Sequence, residues 1–459
     1  MASTKKATTR RRPAAGSRLQ WRQAIPVRHT VDVCVAGGGP AGVAAAVAAA
    51  RQGAKVFLIE GQNSFGGMGT GGLVPAFMQF ADGVNFMAGG IGREIHDTLW
   101  QWGAAGPADR PDTGHKMLSI RVEALKRLYD EMVAAAGVGF AFHTQLMGVK
   151  AVRGRVSHAL CAAKSGVFAV QARMFVDCTG DGDLAAWAGA PFEKGDAEGR
   201  LMPGTLCSLW ADVDWDQVYA SKLWPQTVLP KAIEQGLFTI PDRHLPGMWR
   251  VGRHVGGGNI GHTFGVDSTD ERSLTTALVW GRKLLLEYER FYKEMVPGYA
   301  QMELVASGSL LGIRESRRIM GDYMLNLEDF KSRAVFPDEI GRYTYPVDLH
   351  PVVPNAETFK AFEEEMRTYR HAPGENYGIP YRCLVPRRLK NVLVAGRCVS
   401  TDRPVQGSLR VMPGCYITGQ AAGLAAALAA AGKADARAVA VPELQRRLKA
   451  MGAFLPNYR

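Results

Sequence analysis

The sequence predicts an α/β fold: a three-layer domain on a parallel sheet, assembled from both ends of the chain, with a second α+β domain set between them. Three observations carry this. An apolar run, a glycine turn, an Ala-rich stretch and a second apolar run follow one another over residues 31–59. A comparable apolar run, Gly turn and Ala-rich stretch return over residues 391–431. The intervening stretch, 197–380, changes character and becomes richer in Trp, Pro and charged side chains. At 459 residues the chain is also long for one core, so two domains sharing a cleft are expected.

Taken in order, residues 31–36 read as a short buried strand, 40–52 as an Ala-rich helix and 55–59 as a second strand. That is the opening of a parallel βαβ unit. A helix is expected over 122–136, strand-like runs over 139–150 and 168–176, and long helices over 274–295 and 357–369. A buried strand near 391–396 and a helix over 414–431 return the chain to the first domain. The expected organisation is a disordered basic tail over 1–28 and a discontinuous nucleotide-binding domain from 29–196 plus 381–435. A substrate or cap domain over 197–380 and a C-terminal helix and tail over 436–459 complete it.

Charge and cysteine content exclude several classes. Eight of the basic residues and no acid fall within residues 1–28, so two thirds of the net charge of +12 sits in the tail. Its Lys/Arg/Thr/Ala/Pro composition has no apolar periodicity and reads as a solvated segment. The mildly basic remainder argues against a nucleic-acid partner. Arg10, Arg11 and Arg12 resemble the start of a twin-arginine export signal, but no apolar run follows, and a cytoplasmic location is expected. Seven scattered cysteines without a CxxC pair give neither a disulfide framework nor a zinc or iron–sulfur ligand set. Residues 31–50 and 411–432 are nearly uncharged and about long enough to span a membrane, yet Ala and Gly dominate both, which argues against a membrane partner.

The glycine turn carries the most chemistry. Gly37, Gly39 and Gly42 match GxGxxG, with Pro40 and Ala41 opening the helix behind them. The first glycine makes the tight turn, the second lets backbone approach a pyrophosphate, and the third lets the helix lie close on the strand. Phosphates then meet the free N–H groups and the dipole of the helix N-terminus. Glu60 ends the second strand, where an acid accepts ribose hydroxyls and disfavours a 2′-phosphate. The combination spells a Rossmann-like dinucleotide domain. A second match at Gly256, Gly258 and Gly261 follows Arg250, Arg253 and His254 instead of a strand, and reads as a loop.

The run from Glu60 through Gly61, Gly66, Gly67, Met68 and Thr70 resembles the "E…GG…T" segment of flavoproteins in the glutathione-reductase and fumarate-reductase superfamily. Thr179, Gly180 and Asp181, after Asp177, resemble its "D-x-T-G-D" turn. Gly396 and Arg397, then Gly414, Ala421 and Ala422, resemble its closing segment, in which a helix N-terminus faces the flavin. Leu146, in the run over 139–150, completes the expected cofactor contacts. From about 31 to 432 the chain resembles the broad bacterial family of FAD-dependent oxidoreductases. The resemblance implies bound FAD and a discontinuous FAD-binding domain. A histidine tether of the fumarate-reductase type has no counterpart, since residues 61–80 contain no His, so the FAD is expected to be non-covalent.

The activity implied is hydride transfer from a small polar organic substrate to flavin N5, with an acceptor of unknown identity. An electron-transfer subunit serving a protein partner and a flavin-dependent hydroxylase are the alternatives. His350, whose imidazole titrates near neutrality, is the expected base. Arg317 and Arg410 are the expected carboxylate or flavin clamps, and Tyr381 is a further catalytic candidate. Beside those roles stand structural ones: His350 bonding Asp348, and Arg314, Arg317 and Arg318 forming an ion-pair network with Glu315. No metal is expected, because no HExxH motif or clustered His/Asp set is visible.

Overall fold

The computed structural model describes residues 19, 20, 22–106 and 117–458. Most of the expected basic tail lies outside the described residues. Its last two residues, Val27 and Arg28, instead open the first strand, where the Arg28 guanidinium donates to Ser165.

The first part of the chain runs β1 (Val27–Ala36), α1 (Pro40–Arg51), β2 (Val56–Ile59), α2 (Ile91–Gln101), α3 (Val122–Ala135), β3 (Gly139–Ala141), β4 (Gln145–Val152), β5 (Arg155–Ala163) and β6 (Gly166–Asp177). The middle contributes β7 (Ser208–Ala211), β8 (Gly247–Arg250), β9 (Gly256–Asn259), α4 (Glu271–Met295) and β10 (Glu303–Ser307). The last part gives β11 (Glu339–Tyr343), β12 (Tyr377–Pro380), β13 (Val392–Val394), α5 (Arg403–Leu409), α6 (Met412–Ala431) and α7 (Val441–Ala450).

A seven-stranded sheet organises the first and last parts. Its parallel portion runs β3-β2-β1-β6, with β13 added on the far edge of β6. The first half of β6 pairs instead with β5, which pairs with β4, as an antiparallel meander. Register aligns the carboxyl ends: Ala36 lies beside Ile59 and Asp177, and Asp177 beside Val394. In open α/β sheets ligands bind in the crevice beyond such ends. The Val-rich strands are buried on both faces because helices cover the sheet.

α1 and α6 lie against each other on one face, and glycine makes this possible. A Cβ at Gly419 would stand 2.3 Å from the Ala41 carbonyl oxygen, and one at Gly423 would stand 2.0 Å from that of Ala45. α6 is long and apolar enough to cross a membrane by length and composition, but it is buried inside the protein.

A second core lies between Leu206 and Leu311, around Trp210, Tyr288, Phe291, Tyr292 and Met302. Residues from Ile319 to Ile379, expected in the cap, pack instead into the first core with Tyr343, Val347 and Tyr377. The boundary therefore falls earlier than the expected 380. Residues 436–459 also join the first core through Leu444, Leu448 and Leu455. The second GxGxxG is not a loop: Gly256 and Gly258 lie in β9, an inner strand of the antiparallel sheet β8-β9-β7-β10. Glycine is required there because a Cβ at Gly258 would meet Ser208 Oγ at 2.8 Å and one at Gly257 would meet Pro75 Cβ at 2.4 Å.

Candidate cofactor cleft and active site

The glycine turn between β1 and α1 shows the division of labour expected of it. Gly37 has φ +91°, in the left-handed region, and a Cβ there would strike the Cys178 carbonyl oxygen at 2.5 Å. A Cβ at Gly42 would sit 1.8 Å from the Gly37 carbonyl oxygen. At Gly39 the same atom would meet no atom of the described residues within 4 Å. The outer two glycines are demanded by protein packing, while the middle one faces open space at the N-terminus of α1, with Pro40 at its first position.

Other segments close on this turn. Gly66 donates its N–H to the Gly38 carbonyl at 2.8 Å, and a Cβ on Gly67 (φ +48°) would come within 3.3 Å of Gly39 Cα. Met68 follows, half-buried, while Thr70 is buried and donates its hydroxyl to the Phe65 carbonyl at 2.5 Å, closing the turn internally. Glu60, at the end of β2, accepts N–H groups from Gly38 at 2.7 Å and Gln62 at 2.6 Å. Burial pushes its carboxyl up and these N–H groups hold it down. Each oxygen keeps a further lone pair for a hydroxyl. Gln145 donates its amide to the Gly61 carbonyl at 3.2 Å, while Leu146, next along β4, packs against the first core.

The turn after β6 is built on Asp177, which is fully buried. Its carboxylate accepts from Thr179 N and Oγ1 and from Ala185 N. Gly180 (φ +79°) lies under Arg397, whose guanidinium donates to the Gly180 carbonyl at 3.0 Å and pairs with Asp181 at 2.5 Å. Gly396 (φ +82°) donates its N–H to Thr418 Oγ1 at 3.1 Å, which ties this turn to α6. Gly414 lies in the first turn of α6, where a Cβ would strike the Leu409 carbonyl oxygen at 2.3 Å. Ala421 and Ala422 do not reach the cleft. They lie two turns further along α6, have no exposed surface and pack within the core.

The chain matches the family of FAD-dependent oxidoreductases over residues 32–448. It belongs to that family. No curated protein matches it. Among solved structures, a geranylgeranyl bacteriochlorophyll reductase-like protein from Thermoplasma acidophilum is similar at 14% identity and a TM-score of 0.45, over 92% of this chain and 83% of its own. The flavin-dependent brominase Bmp2 stands at 12% and 0.43, over 92% and 83%. The p-nitrophenol 4-monooxygenase PnpA from Pseudomonas putida stands at 12% and 0.38, over 64% and 70%. Likenesses this distant carry no information on substrate.

The cleft of this FAD-dependent oxidoreductase fits its cofactor. A half-buried Gly39 with open space over it, a carboxylate at the end of β2 and a helix N-terminus suit pyrophosphate and ribose. Gly37, Gly39, Gly42, Pro40, Glu60, Gly66, Gly67, Met68, Gly180, Asp181, Gly396, Arg397 and Gly414 would hold the FAD.

Beyond the start of α6 lies a buried polar group. Arg410, two residues before Met412, bonds Asp348 through Nη2 at 2.9 Å and leaves Nε buried without a hydrogen-bond partner among the described residues. The other Asp348 oxygen stands 3.2 Å from His350 Nε2. His350 Nδ1 faces His262 Nε2 at 3.0 Å, and His262 Nδ1 stands 2.9 Å from Asp242. His244 joins them, its ring centroid 4.5 Å from that of His350. Phe362 packs against His244 and His350. Burial holds the His350 imidazole well below its usual range, and Arg314, His262 and Arg410 add to this. The His244 and His262 imidazoles are lowered too, again first by burial.

The expectation that no His/Asp set is clustered is therefore corrected. His244 and His262 come from the second unit and His350 from the first, and only folding brings them together. The two other catalytic candidates lie elsewhere. Arg317 pairs with Asp183 at 2.7 Å and donates to the Asp181 carbonyl, bracing the turn after β6. Tyr381 is buried and donates to the Ala436 carbonyl at 2.8 Å, on the side of the C-terminal segment. Arg318 and Arg403 both pair with the buried Glu315. Arg314 donates to the Pro203 carbonyl and to Thr205, each at 2.9 Å.

Proposed function

We propose that this FAD-dependent oxidoreductase oxidises a small polar organic molecule at a CH–OH, CH–NH or CH–CH group, bound between the start of α6 and the imidazole cluster. When bound, FAD supplies the two-electron acceptor that takes hydride at N5. The protein's residues do the rest. Arg410 offers a fixed guanidinium to an anionic or polar group of the substrate, and Asp348 holds its orientation. The neutral imidazoles receive the polar end of the reacting group and accept its hydrogen bond as the proton leaves. The aromatic side chain packed on the imidazoles, Phe362, excludes water from the reacting bond.

The observation that carries this reading is the buried chain Arg410–Asp348–His350 at the first turn of α6. A structural ion pair alone would leave no reason to add two further imidazoles. The test is anaerobic. Small hydroxy and amino compounds are screened for flavin bleaching, and the active one is mixed with His350→Ala. We expect FAD retained and reduction slowed by about 100-fold or more. Unchanged reduction by the variant overturns the reading.

A further inference from the structure

We infer that His244, His262 and His350 form a binding site for one divalent transition-metal ion, of the nitrogen-preferring kind that zinc represents. One ring nitrogen from each lies within 4.8 Å of the other two. No shared motif marks the three positions in the sequence. The inference concerns the same cluster as the proposed function but stands without it, because ion binding needs neither flavin nor substrate.

The hydrogen-bond inventory makes the argument. A neutral imidazole has one N–H and one lone pair. Asp242 stands 2.9 Å from His262 Nδ1, and Asp348 stands 3.2 Å from His350 Nε2. The two carboxylates set negative charge beside the outer nitrogen of each ring and so favour the N–H there, although His262 Nδ1 and Asp242 are not aligned as a hydrogen bond. The inner nitrogens, His262 Nε2 and His350 Nδ1, are then both lone pairs, facing each other at 3.0 Å. Two acceptors in that position repel unless a cation lies between them. His244 adds a third nitrogen, Nε2, that is buried without a hydrogen-bond partner among the described residues. A shared proton satisfies two of the three nitrogens, whereas a metal ion satisfies all of them.

On two of the three rings, His262 and His350, the second nitrogen faces a carboxylate, the arrangement metal-binding histidines use to set their tautomer and basicity. Metal–nitrogen bonds of about 2.0–2.1 Å at tetrahedral angles need nitrogens about 3.3–3.4 Å apart. The His262–His350 spacing is close to this already, and rotation of His244 brings in the third. Arg314 and Arg410 oppose a dication here, and Asp242 and Asp348 offset them. The neutral imidazole is the form that coordinates. Three protein ligands leave a coordination position open, as in catalytic sites. With an ion bound the imidazole lone pairs are occupied, so this open position, not an imidazole, would take the oxygen or nitrogen of the substrate class proposed above.

The test uses the full FAD-loaded chain, free of any histidine tag, stripped by a chelator and titrated with Zn²⁺ in a calorimeter, with metal content measured after dialysis. We expect about one retained equivalent per chain. His262→Gln and His350→Asn should retain less than a tenth of that, while His254→Ala, at an exposed histidine elsewhere, should retain it fully. If the ligand variants fail to hold flavin, Asp242→Asn decides instead: it keeps the ligands and should weaken Zn²⁺ by about 10–100-fold. No retained ion in the wild-type chain, or equal retention by the cluster variants that fold, overturns the site. Unchanged affinity in Asp242→Asn overturns it as well. A failure of this kind leaves the hydride-transfer reading intact, because that reading is tested by the His350→Ala reduction rate.

Discussion

Gly39 and Gly42 belong to one motif but answer to different forces, and substitution separates them. At Gly39 the backbone has φ −66° and ψ −175°, which any residue adopts, and an added methyl meets no atom of the described residues within 4 Å. Gly39→Ala should therefore melt like the parent without cofactor but bind FAD at least about tenfold more weakly, as read by flavin fluorescence quenching. Gly42→Ala forces a methyl to 1.8 Å from the Gly37 carbonyl oxygen and should lose about 1–3 kcal/mol or more in urea unfolding. Equal melting of the two variants would contradict this division. Asp177 gives a second prediction. Burial raises its carboxyl to about 6 despite three N–H and O–H donors. In the unfolded chain the value is about 3.9. Between those values the folded state holds more proton, so this group's contribution is full below about pH 4 and is lost as pH rises through about 6. Melting at pH 4 to 7 should show that downward component, of up to about 3 kcal/mol, and Asp177→Asn should remove it. An unchanged slope in the variant would assign it to other groups. The cofactor residues were legible one by one because each glycine or acid answers a local need written in the adjacent sequence. The imidazole cluster was not, because His262 and His350 lie 88 residues apart and nothing local marks either as a ligand.

Between elements, the decisive contact is α1 against α6. The Ala- and Gly-rich composition of both helices is explained by that crossing, where glycine lets one backbone rest on the other. Gly423→Ala would set a Cβ 2.0 Å from the Ala45 carbonyl oxygen and must push the helices apart. We expect about 1–3 kcal/mol of lost stability with weaker FAD binding, since both helix N-termini shift at the cleft. Equal stability and affinity would show that the crossing tolerates separation. These helices and the strands they cover were readable because period and composition coincide there. β9 was misread as a loop because its glycines mimic a phosphate turn. They are glycines for a different reason, the close approach of Pro75 and Ser208 to an inner strand. Ala421 and Ala422 were assigned to the cofactor through resemblance, yet their depth in α6 places them in packing.

At the scale of the molecule, two cores meet over the carboxyl edge of one sheet, and the chain crosses between them twice. The α/β architecture and its closure by both chain ends followed from two distant apolar-then-Ala-rich stretches. The boundary between units did not, because residues 319–379 have a cap-like composition but bury Tyr343, Val347 and Tyr377 in the first core. That packing carries His350 and Asp348 to the start of α6, so the misplaced boundary and the unseen histidine cluster have one cause. The account as a whole depends on the turn after β1, the turn after β6 and the start of α6 gripping a single cofactor. The direct measurement is the visible spectrum of the purified chain before and after acid precipitation. Flavin bands with about one FAD per chain, released into the acid supernatant, are expected. A folded, colourless protein that takes up no added FAD would contradict the account.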